Sequence, residues 1–266
     1  MYDIPDRSID MILCDLPYGI TLNKWDKKLP FEPLWAAYKR IITPGGAIVL
    51  TAQGNFAHEL YESNKKWYRP AHEWIIEKRN AVNFLNVSRS PLRAHESILV
   101  FCEKTPLYQP QLTAGTPYKR HTVETKTTNY SRGGATYGPV NDTTTINHGT
   151  RQPRSILRFE MERGLHSTQK PVTLFENLIR TYSRSGALVL DNCIGSGTTA
   201  IAALNSGRRF IGFENNRQFF QIAQDRIKHH VIPKATPDQG HGLPDLRSAM
   251  AQSRAALMMY AAAAAN

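Results

Sequence analysis

The sequence predicts an α/β fold organised around a parallel sheet. Short apolar runs alternate with segments of helical periodicity, Pro/Gly loops separate them, and 41% of the 266 residues are hydrophobic. Alternating strands and helices are typical of parallel sheets, and that hydrophobic fraction can fill a sizeable core. At about 150 residues per domain, the length indicates one large domain or two small ones.

The N-terminal part of the chain contains four predicted strands and two predicted helices. The strands are residues 8–14, 47–51, 73–77 and 97–102, each a short apolar run. The helices are residues 31–42 and 55–65, and apolar residues repeat at helical spacing in the first. Pro44-Gly45-Gly46 is predicted as the loop that ends the first helix.

Residues 105–164 show neither the alternation typical of a strand nor the spacing typical of a helix, and they are rich in Thr, Asn, Gly, Pro and Tyr. Such a long stretch is usually functional or disordered. After it, the predicted helices are 170–182, 198–205 and 218–229, and the predicted strands are 187–190 and 209–213. In the tail, residues 245–265 are predicted as one helix, loosely docked or frayed. The domain prediction is a core of 1–104 with 165–232, an inserted segment 105–164 and a tail 233–266.

A glycine-containing loop, residues 191–199, lies between a predicted strand and a predicted helix. Glycines allow a ligand close to the backbone, and N–H groups at a helix start favour a carboxylate or phosphate. Glu214 ends the next strand, where an acid can accept hydrogen bonds from the ribose hydroxyls of an adenosine cofactor. A P-loop is excluded because no Lys follows Gly197. A dinucleotide stays open, but Asp191 favours S-adenosylmethionine (SAM), since a carboxylate attracts the SAM ammonium and repels a pyrophosphate.

A second loop, Asp15-Leu16-Pro17-Tyr18, also follows a predicted strand, where α/β folds place their ligands. An exocyclic amine is a poor nucleophile because its lone pair is delocalised into the ring. Asp15 and a backbone carbonyl can accept the two N–H bonds of such an amine and favour a pyramidal nitrogen, while Pro17 stiffens the loop. Tyr18 offers a ring on which a base can stack. The alternative is an ordinary Pro/Gly turn with an exposed Asp and Tyr.

The chain is strongly basic: 33 Lys and Arg against 22 Asp and Glu leave a net charge of +11. This excess favours a polyanionic partner, either nucleic acid or an acidic membrane surface. Fifteen of the 33 basic residues lie in 65–95 and 105–165, between the two loops. The longest apolar run, 255–265, is too short to cross a bilayer, so no membrane partner is expected. Three cysteines without paired spacing argue against a zinc module, so no metal is expected.

These motifs resemble those of the bacterial and phage SAM-dependent DNA amino-methyltransferases, which modify adenine at N6 or cytosine at N4. Their Asp/Asn/Ser-Pro-Pro-Tyr loop is similar to residues 15–18, and their Asp-x-Phe-x-Gly-Ser-Gly-Thr-Thr loop is similar to residues 191–199. Their His-Pro-Thr-Gln-Lys-Pro motif is similar to residues 166–171. The motif order is that of the permuted β class. The sequence departs from the family at Leu16, which replaces Pro, and at Cys193, which replaces the usual Phe.

The resemblance implies a Rossmann-like, mixed and mostly parallel sheet of about seven strands with helices on both faces. It also implies SAM as cofactor and a flipped-out base as substrate. The implied catalytic residues are Asp15, Leu16, Pro17 and Tyr18. The implied cofactor residues are Thr168, Gln169, Lys170, Pro171, Asp191, Cys193, Gly195, Ser196, Gly197, Thr198, Thr199, Glu214 and Asn215. The insert corresponds to the family's target-recognition region, and the expected DNA contacts are Lys78, Arg79, Asn83, Arg89, Arg93, Arg132, Arg151, Arg154 and Arg158.

The expected function is transfer of a methyl group from SAM to N6 of an adenine flipped out of double-stranded DNA. Asp at the first loop position favours adenine in the family, so N4-cytosine methylation is the alternative within the class. A catalytically weak DNA-binding relative is the alternative outside it, because residues 1–14 lack the Gly-Asp segment with which most relatives help hold the SAM adenine. Asp191 disfavours an NAD-linked oxidoreductase. The expected location is the cytoplasm of a bacterial cell, in association with the nucleoid. The sequence leaves open a phage or prophage origin and a restriction endonuclease partner.

Overall fold

A computed structural model describes residues 1–65, 69–122, 143–159, 169–231 and 256–259. The strands are β1 (Ile9–Cys14), β2 (Ile42–Ala52), β3 (Arg69–Val82), β4 (Arg93–Cys102), β5 (Thr113–Ala114), β6 (Tyr118–Thr122), β7 (Thr143–Asn147), β8 (Thr150–Arg151), β9 (Ile156–Arg158), β10 (Leu188–Asp191), β11 (Arg209–Glu214) and β12 (Ala256–Met259). The helices are α1 (Phe31–Ile41), α2 (Asn55–Asn64), α3 (Val172–Tyr182), α4 (Thr198–Asn205) and α5 (Arg217–Lys228). A 3₁₀ turn spans Phe84–Asn86.

The main sheet has eight described strands in the order β12-β11-β10-β1-β2-β4-β3-β9. Of these, β4 alone runs opposite to the others, since it pairs antiparallel with both β2 and β3. The mostly parallel, Rossmann-like sheet is therefore confirmed, with one strand more than the expected seven or so. Because β3 runs parallel to β1, the carboxyl ends of β1, β2, β3, β10 and β11 meet at the edge where β4 begins.

Helices cover both faces of the sheet, as predicted. Successive strand residues point to opposite faces. In β1, Met11 and Leu13 belong to the core cluster that includes the apolar sides of α3 and α4, whereas Ile12 and Cys14 belong to the cluster that includes α1 and α2. Both faces of β1 are thus buried, which explains its nearly continuous apolar sequence.

The predicted loop at Pro44-Gly45-Gly46 is wrong, because these residues lie inside β2. Helix α1 ends at Ile41, and Ile42 already pairs with Ile9 of β1. The next pair, Met11 with Ala47, shows that the Pro-Gly-Gly segment is accommodated as an irregularity within the ladder. A bulge of this kind keeps both flanking segments in register.

The C-terminal tail also differs from its prediction. Residues 256–259, expected within a helix, form strand β12, which pairs parallel with β11. Without it β11 would be an edge strand with unpaired backbone groups, and an extended segment satisfies them whereas a helix cannot. The rest of the predicted helix lies outside the described residues. Within the described part of the chain, each helix falls short of the length and apolarity needed to cross a membrane.

The chain divides into two compact units, one formed by 1–109 with 155–266 and the other by 110–154. In the smaller unit, β5 pairs with β8 and β6 pairs with β7, both antiparallel. The Arg151 guanidinium lies over the Tyr118 ring, 5.0 Å from its centroid. In the larger unit, β9 pairs parallel with β3 although it falls within the predicted insert. The predicted domain boundaries themselves stay a prediction.

Helix α3 is joined to the sheet by the buried hydroxyl of Tyr182. This oxygen accepts a hydrogen bond from the Trp74 indole nitrogen at 2.6 Å and lies 2.5 Å from Nε2 of His72. We expect Tyr182→Phe to lower the free energy of unfolding by about 1–3 kcal/mol, because the buried indole N–H loses its acceptor. Denaturant unfolding measures this change. Tyr2→Phe, at an exposed residue, is the matched control, and equal stability of the two variants would contradict the expectation.

Candidate active site

The loop Asp15-Leu16-Pro17-Tyr18 leaves β1 at the carboxyl edge of the sheet. Leu16 is buried in the core beneath it, and the Tyr18 ring packs against Phe56 of α2 with 5.0 Å between centroids. The Tyr18 hydroxyl lies 2.9 Å from Oδ1 of Asp15 and 2.8 Å from Oγ1 of Thr51, which itself donates to Asp15. Burial, reinforced by the nearby carboxylates, raises the pKa of Tyr18 well above its ordinary value, so the phenol stays neutral.

The Asp15 carboxylate is held by Lys170, a residue 155 positions away in the sequence. The Lys170 ammonium donates to both carboxylate oxygens, at 2.9 Å and 2.8 Å, and lies 3.2 Å from Oε2 of Glu96. Glu96 in turn pairs through Oε1 with Lys78. Asp15, Lys170, Glu96 and Lys78 therefore form a row of alternating charges, which we call the charge row.

The charge row is largely withdrawn from solvent. Lys170 and Glu96 are only 7% and 9% exposed. Burial by itself lowers the pKa of Lys170, but the carboxylates of Asp15 and Glu96 outweigh it and raise that pKa above its ordinary value. The ammonium is thus charged at neutral pH. Removing one member of such a buried pair leaves an uncompensated charge, which typically costs about 3–5 kcal/mol.

The glycine loop follows β10, the strand next to β1. Asp191 ends β10, and its carboxylate accepts bonds from the Cys193 N–H at 2.9 Å and the Thr199 hydroxyl at 2.5 Å. Gly197 has a positive φ of 86°, and a Cβ there would lie 3.2 Å from Ala223 of α5. Only glycine combines this backbone conformation with this close helix approach. Asp191 and Gly197 thus fix the loop from its two ends.

Glu214 closes the same loop from the neighbouring strand β11. One carboxylate oxygen accepts the Gly195 N–H at 2.9 Å, and the other accepts the Asn216 N–H at 2.8 Å. Asn215 is exposed beside it. A Cβ built on Gly195 would meet nothing within 4 Å, so open space lies against the loop. The predicted cofactor residues of β10, α4 and β11 therefore meet around the glycine loop at the carboxyl edge.

Several other predicted residues make contacts within the protein. The Lys78 ammonium, expected on DNA, lies in the charge row. Asn83, also expected on DNA, donates to the Ser90 hydroxyl at 3.0 Å and accepts from Asn86 at 2.8 Å. Nε of Arg158 lies 2.5 Å from Glu77. Arg79, Arg89, Arg93 and Arg154 are exposed, whereas Thr168 and Arg132 lie outside the described residues.

Three residues of the site are missing from the predicted set, and one of them is Glu96 of the charge row. Thr51 donates to Asp15 from β2, and Asp26 organises the chain beyond Tyr18 by accepting the N–H groups of Gly19, Ile20 and Thr21 at 2.7–2.9 Å. Burial by itself raises the pKa of Asp26, but these bonds lower it below its ordinary value. The sequence signal for Thr51 is a polar residue at the end of an apolar strand. The signal for Asp26 is an Asp that follows a Gly turn.

Burial raises the pKa of Asp191 to about 6, although its hydrogen bonds partly oppose this shift. The pKa of Asp191 in the folded chain therefore exceeds the ordinary value of 3.8. Ionisation of Asp191 destabilises the fold as the pH rises from that ordinary value through the folded-state pKa. We expect the unfolding free energy of the wild-type chain, relative to Asp191→Asn, to fall by about 1 kcal/mol between about pH 5 and pH 7.5. Denaturant unfolding across this range tests it. A difference that does not vary with pH would contradict the raised pKa.

Comparison with known proteins shows which family the chain belongs to. The sequence profile of the DNA methylases that act on N6 or N4 matches residues 9–225. The chain is 27% identical to the Type II methyltransferase M2.DpnII of Streptococcus pneumoniae, over 84% of this chain and 83% of that protein. It is also 27% identical to the DNA adenine methyltransferase YhdJ of Escherichia coli K12, over 84% of this chain and 78% of that protein.

A solved structure shares the fold. The M1.HpyAVI–SAM complex superimposes with a TM-score of 0.56 at 22% identity, covering 85% of this chain and 90% of that one. The family match spans both the loop at the end of β1 and the loop at the end of β10. The chain therefore belongs to the N6/N4 DNA methylase family.

Proposed function

We propose that this DNA methyltransferase uses SAM to methylate the N6 amine of an adenine flipped out of double-stranded DNA. The observation that carries the proposal is the Asp15 carboxylate, held by Lys170 at the end of β1, directly beside the glycine loop at the end of β10. Neighbouring strand ends thus offer one site for an amine and one for a methyl donor. M1.HpyAVI forms a complex with SAM, which supports the cofactor, and YhdJ is a DNA adenine methyltransferase, which supports the base.

The residues around the glycine loop fit SAM chemically. A carboxylate suits its ammonium, N–H groups of the loop suit its carboxylate, and Glu214 suits its ribose hydroxyls. The open space against Gly195 leaves room beside these groups. We assign this role to Asp191, Cys193, Gly195, Ser196, Gly197, Thr198, Thr199, Glu214 and Asn215. When bound, SAM supplies an electrophilic methyl group.

The loop after β1 prepares the amine. Asp15 and the Leu16 carbonyl accept its two N–H bonds, and the base stacks on Tyr18, which is worth about 1–3 kcal/mol. Accepting both N–H bonds favours a pyramidal nitrogen, whose lone pair is then available for attack. Pro17 limits the movement of the acceptors. Catalysis under this proposal is mostly positioning, without a covalent bond to the enzyme.

The wider setting follows from the same proposal. Double-stranded DNA is the substrate, with Arg79, Arg89, Arg93, Arg132, Arg151, Arg154 and Arg158 as candidate contacts. A DNA substrate places the enzyme with the nucleoid in the bacterial cytoplasm, and the Type II names of its relatives make a restriction endonuclease a candidate partner.

Incubation of the purified protein with methyl-labelled SAM and unmethylated genomic DNA tests the proposal, with mass analysis of the nucleosides afterwards. We expect labelled N6-methyladenine. Label in N4-methylcytosine would show that the target base is cytosine rather than adenine, and the protein would still be a DNA amino-methyltransferase. Tight DNA binding without label in any nucleoside would contradict methyl transfer altogether.

Asp15→Ala separates the amine site from the cofactor site. Loss of a preorganised group at the reacting atom lowers kcat by at least about 100-fold. The Kd for SAM should change little, because Asp15 follows β1 and is not part of the glycine loop. Single-turnover transfer and calorimetry with SAM measure the two quantities. Asp3→Ala, at an exposed residue, is the control, and equal loss of SAM binding and transfer would show that Asp15 had been misassigned.

Lys170 was expected to bind the cofactor, but its contacts favour a positioning role on Asp15. We expect Lys170→Met to lower kcat by at least about tenfold with little change in the Kd for SAM, since the carboxylate loses the ammonium that orients it. Lys170→Arg should recover part of the loss. Lys65→Met, at an exposed lysine, is the matched control. A weaker Kd for SAM with unchanged kcat would support cofactor binding instead.

A further inference from the structure

The connection between β3 and β4, residues 83–92, exposes an unusual amount of apolar surface; we call it the β3–β4 loop. Phe84 is 71% exposed and Leu85 is 84% exposed, and Val87 and Leu92 are exposed as well. Single exposed apolar residues are common, but several within one short loop generally mark an interaction site.

The β3–β4 loop is ordered by its own polar residues. Asn83 takes a left-handed backbone conformation at φ 76° and begins the 3₁₀ turn that carries Phe84 and Leu85. The side chains of Asn83, Asn86 and Ser90 are joined by hydrogen bonds of 2.8–3.0 Å, and the Ser90 N–H donates to the Asn86 carbonyl at 2.9 Å. Polar contacts thus hold the turn together while its two largest apolar side chains face solvent.

The β3–β4 loop stands at the same edge of the sheet as the candidate active site. Strand β3 runs parallel to β1, so it ends at the edge where Asp15 lies. Lys78, near the end of β3, and Glu96, near the start of β4, both belong to the charge row that reaches Asp15. The two strands that support the loop are therefore tied directly to the catalytic carboxylate.

The charge of this region favours DNA as the occupant. Residues 78–95 contain four basic residues and no Asp or Glu, and Arg79, Arg89 and Arg93 are exposed, whereas Lys78 is paired with Glu96. Arg89 and Arg93 are exposed on the loop and beside it. The phosphate backbone of DNA complements these exposed arginines.

We propose that the β3–β4 loop inserts Phe84 and Leu85 into the DNA duplex, where they fill the space left by the flipped base. The proposal rests on the proposed function, because it requires a base to leave the stack. Extruding a base costs a few kcal/mol of stacking and pairing, and apolar side chains such as Phe and Leu are those that wedge between base steps. Arg89 and Arg93 hold the phosphates on either side.

The test compares a double variant, Phe84→Ala with Leu85→Ala, on two substrates. The recognition site is first mapped by sequencing modified bases in genomic DNA treated with the wild-type protein. Methyl transfer is then measured on a fully paired duplex of that site and on one with an abasic position opposite the target base. On the paired duplex we expect kcat/KM to fall by at least about tenfold, because flipping loses its support.

On the abasic duplex we expect the double variant to come within about threefold of wild type, because the target base there has no pairing partner to leave. Tyr2→Ala removes an exposed aromatic ring from another part of the chain and should match wild type on both duplexes. Equal loss on both duplexes, or no loss on either, would overturn the wedge.

Two further outcomes bear on the proposal. A change in the sedimentation of the free protein in the double variant would assign the loop to contact between copies and overturn the wedge. A wild-type protein that methylates no DNA would overturn the proposed function itself. Failure of the proposed function is thus distinguishable from failure of the wedge.

Discussion

The ion pair between Lys170 and Asp15 is the contact on which the rest of the site depends. It joins the residue that follows β1 to the segment that precedes α3, and Glu96 and Lys78 extend it to β4 and β3. Charges this far withdrawn from water are tolerated only when each has an opposite charge beside it. The charge row therefore fixes the carboxylate in one position and ties the surrounding segments to it, which is the rigidity that catalysis by positioning requires.

The order of the strands explains why the two chemical loops can cooperate. Strands β1 and β10 are neighbours, so Asp15 and Asp191 lie at adjacent points of one sheet edge although they are far apart in sequence. The reversed strand β4 begins at this edge, so it places Glu96 there as well, next to the β3–β4 loop. The proposed cofactor site, the proposed amine site and the β3–β4 loop thus share one edge, which is where open α/β sheets generally bind ligands.

Much of the fold and part of the site could be predicted from the sequence. Continuous apolar runs predicted β1, β10 and β11, the five predicted helices match the described helices to within two residues, and loop chemistry singled out Asp15 and Asp191. Short strands such as β9 and β12 carry too few residues to show a period and form only because a sheet edge is available. The contact between Lys170 and Asp15 was not predictable, because nothing in the local pattern of either residue indicates a partner so distant in the chain. The sequence likewise does not indicate the ion pair between Lys78 and Glu96, because it forms only when β3 and β4 pair. The sequence alone therefore assigns Lys78 to DNA.

The most direct test of this mechanism is a crystal structure of the protein with S-adenosylhomocysteine and a duplex that contains its recognition site. We expect a target adenine outside the stack, its ring on Tyr18, and its N6 within about 3 Å of both the Asp15 carboxylate and the Leu16 carbonyl. Lys170 should still contact Asp15 in that complex. An adenine amine bound elsewhere, or a Lys170 ammonium that has left Asp15 for the cofactor, would contradict the mechanism.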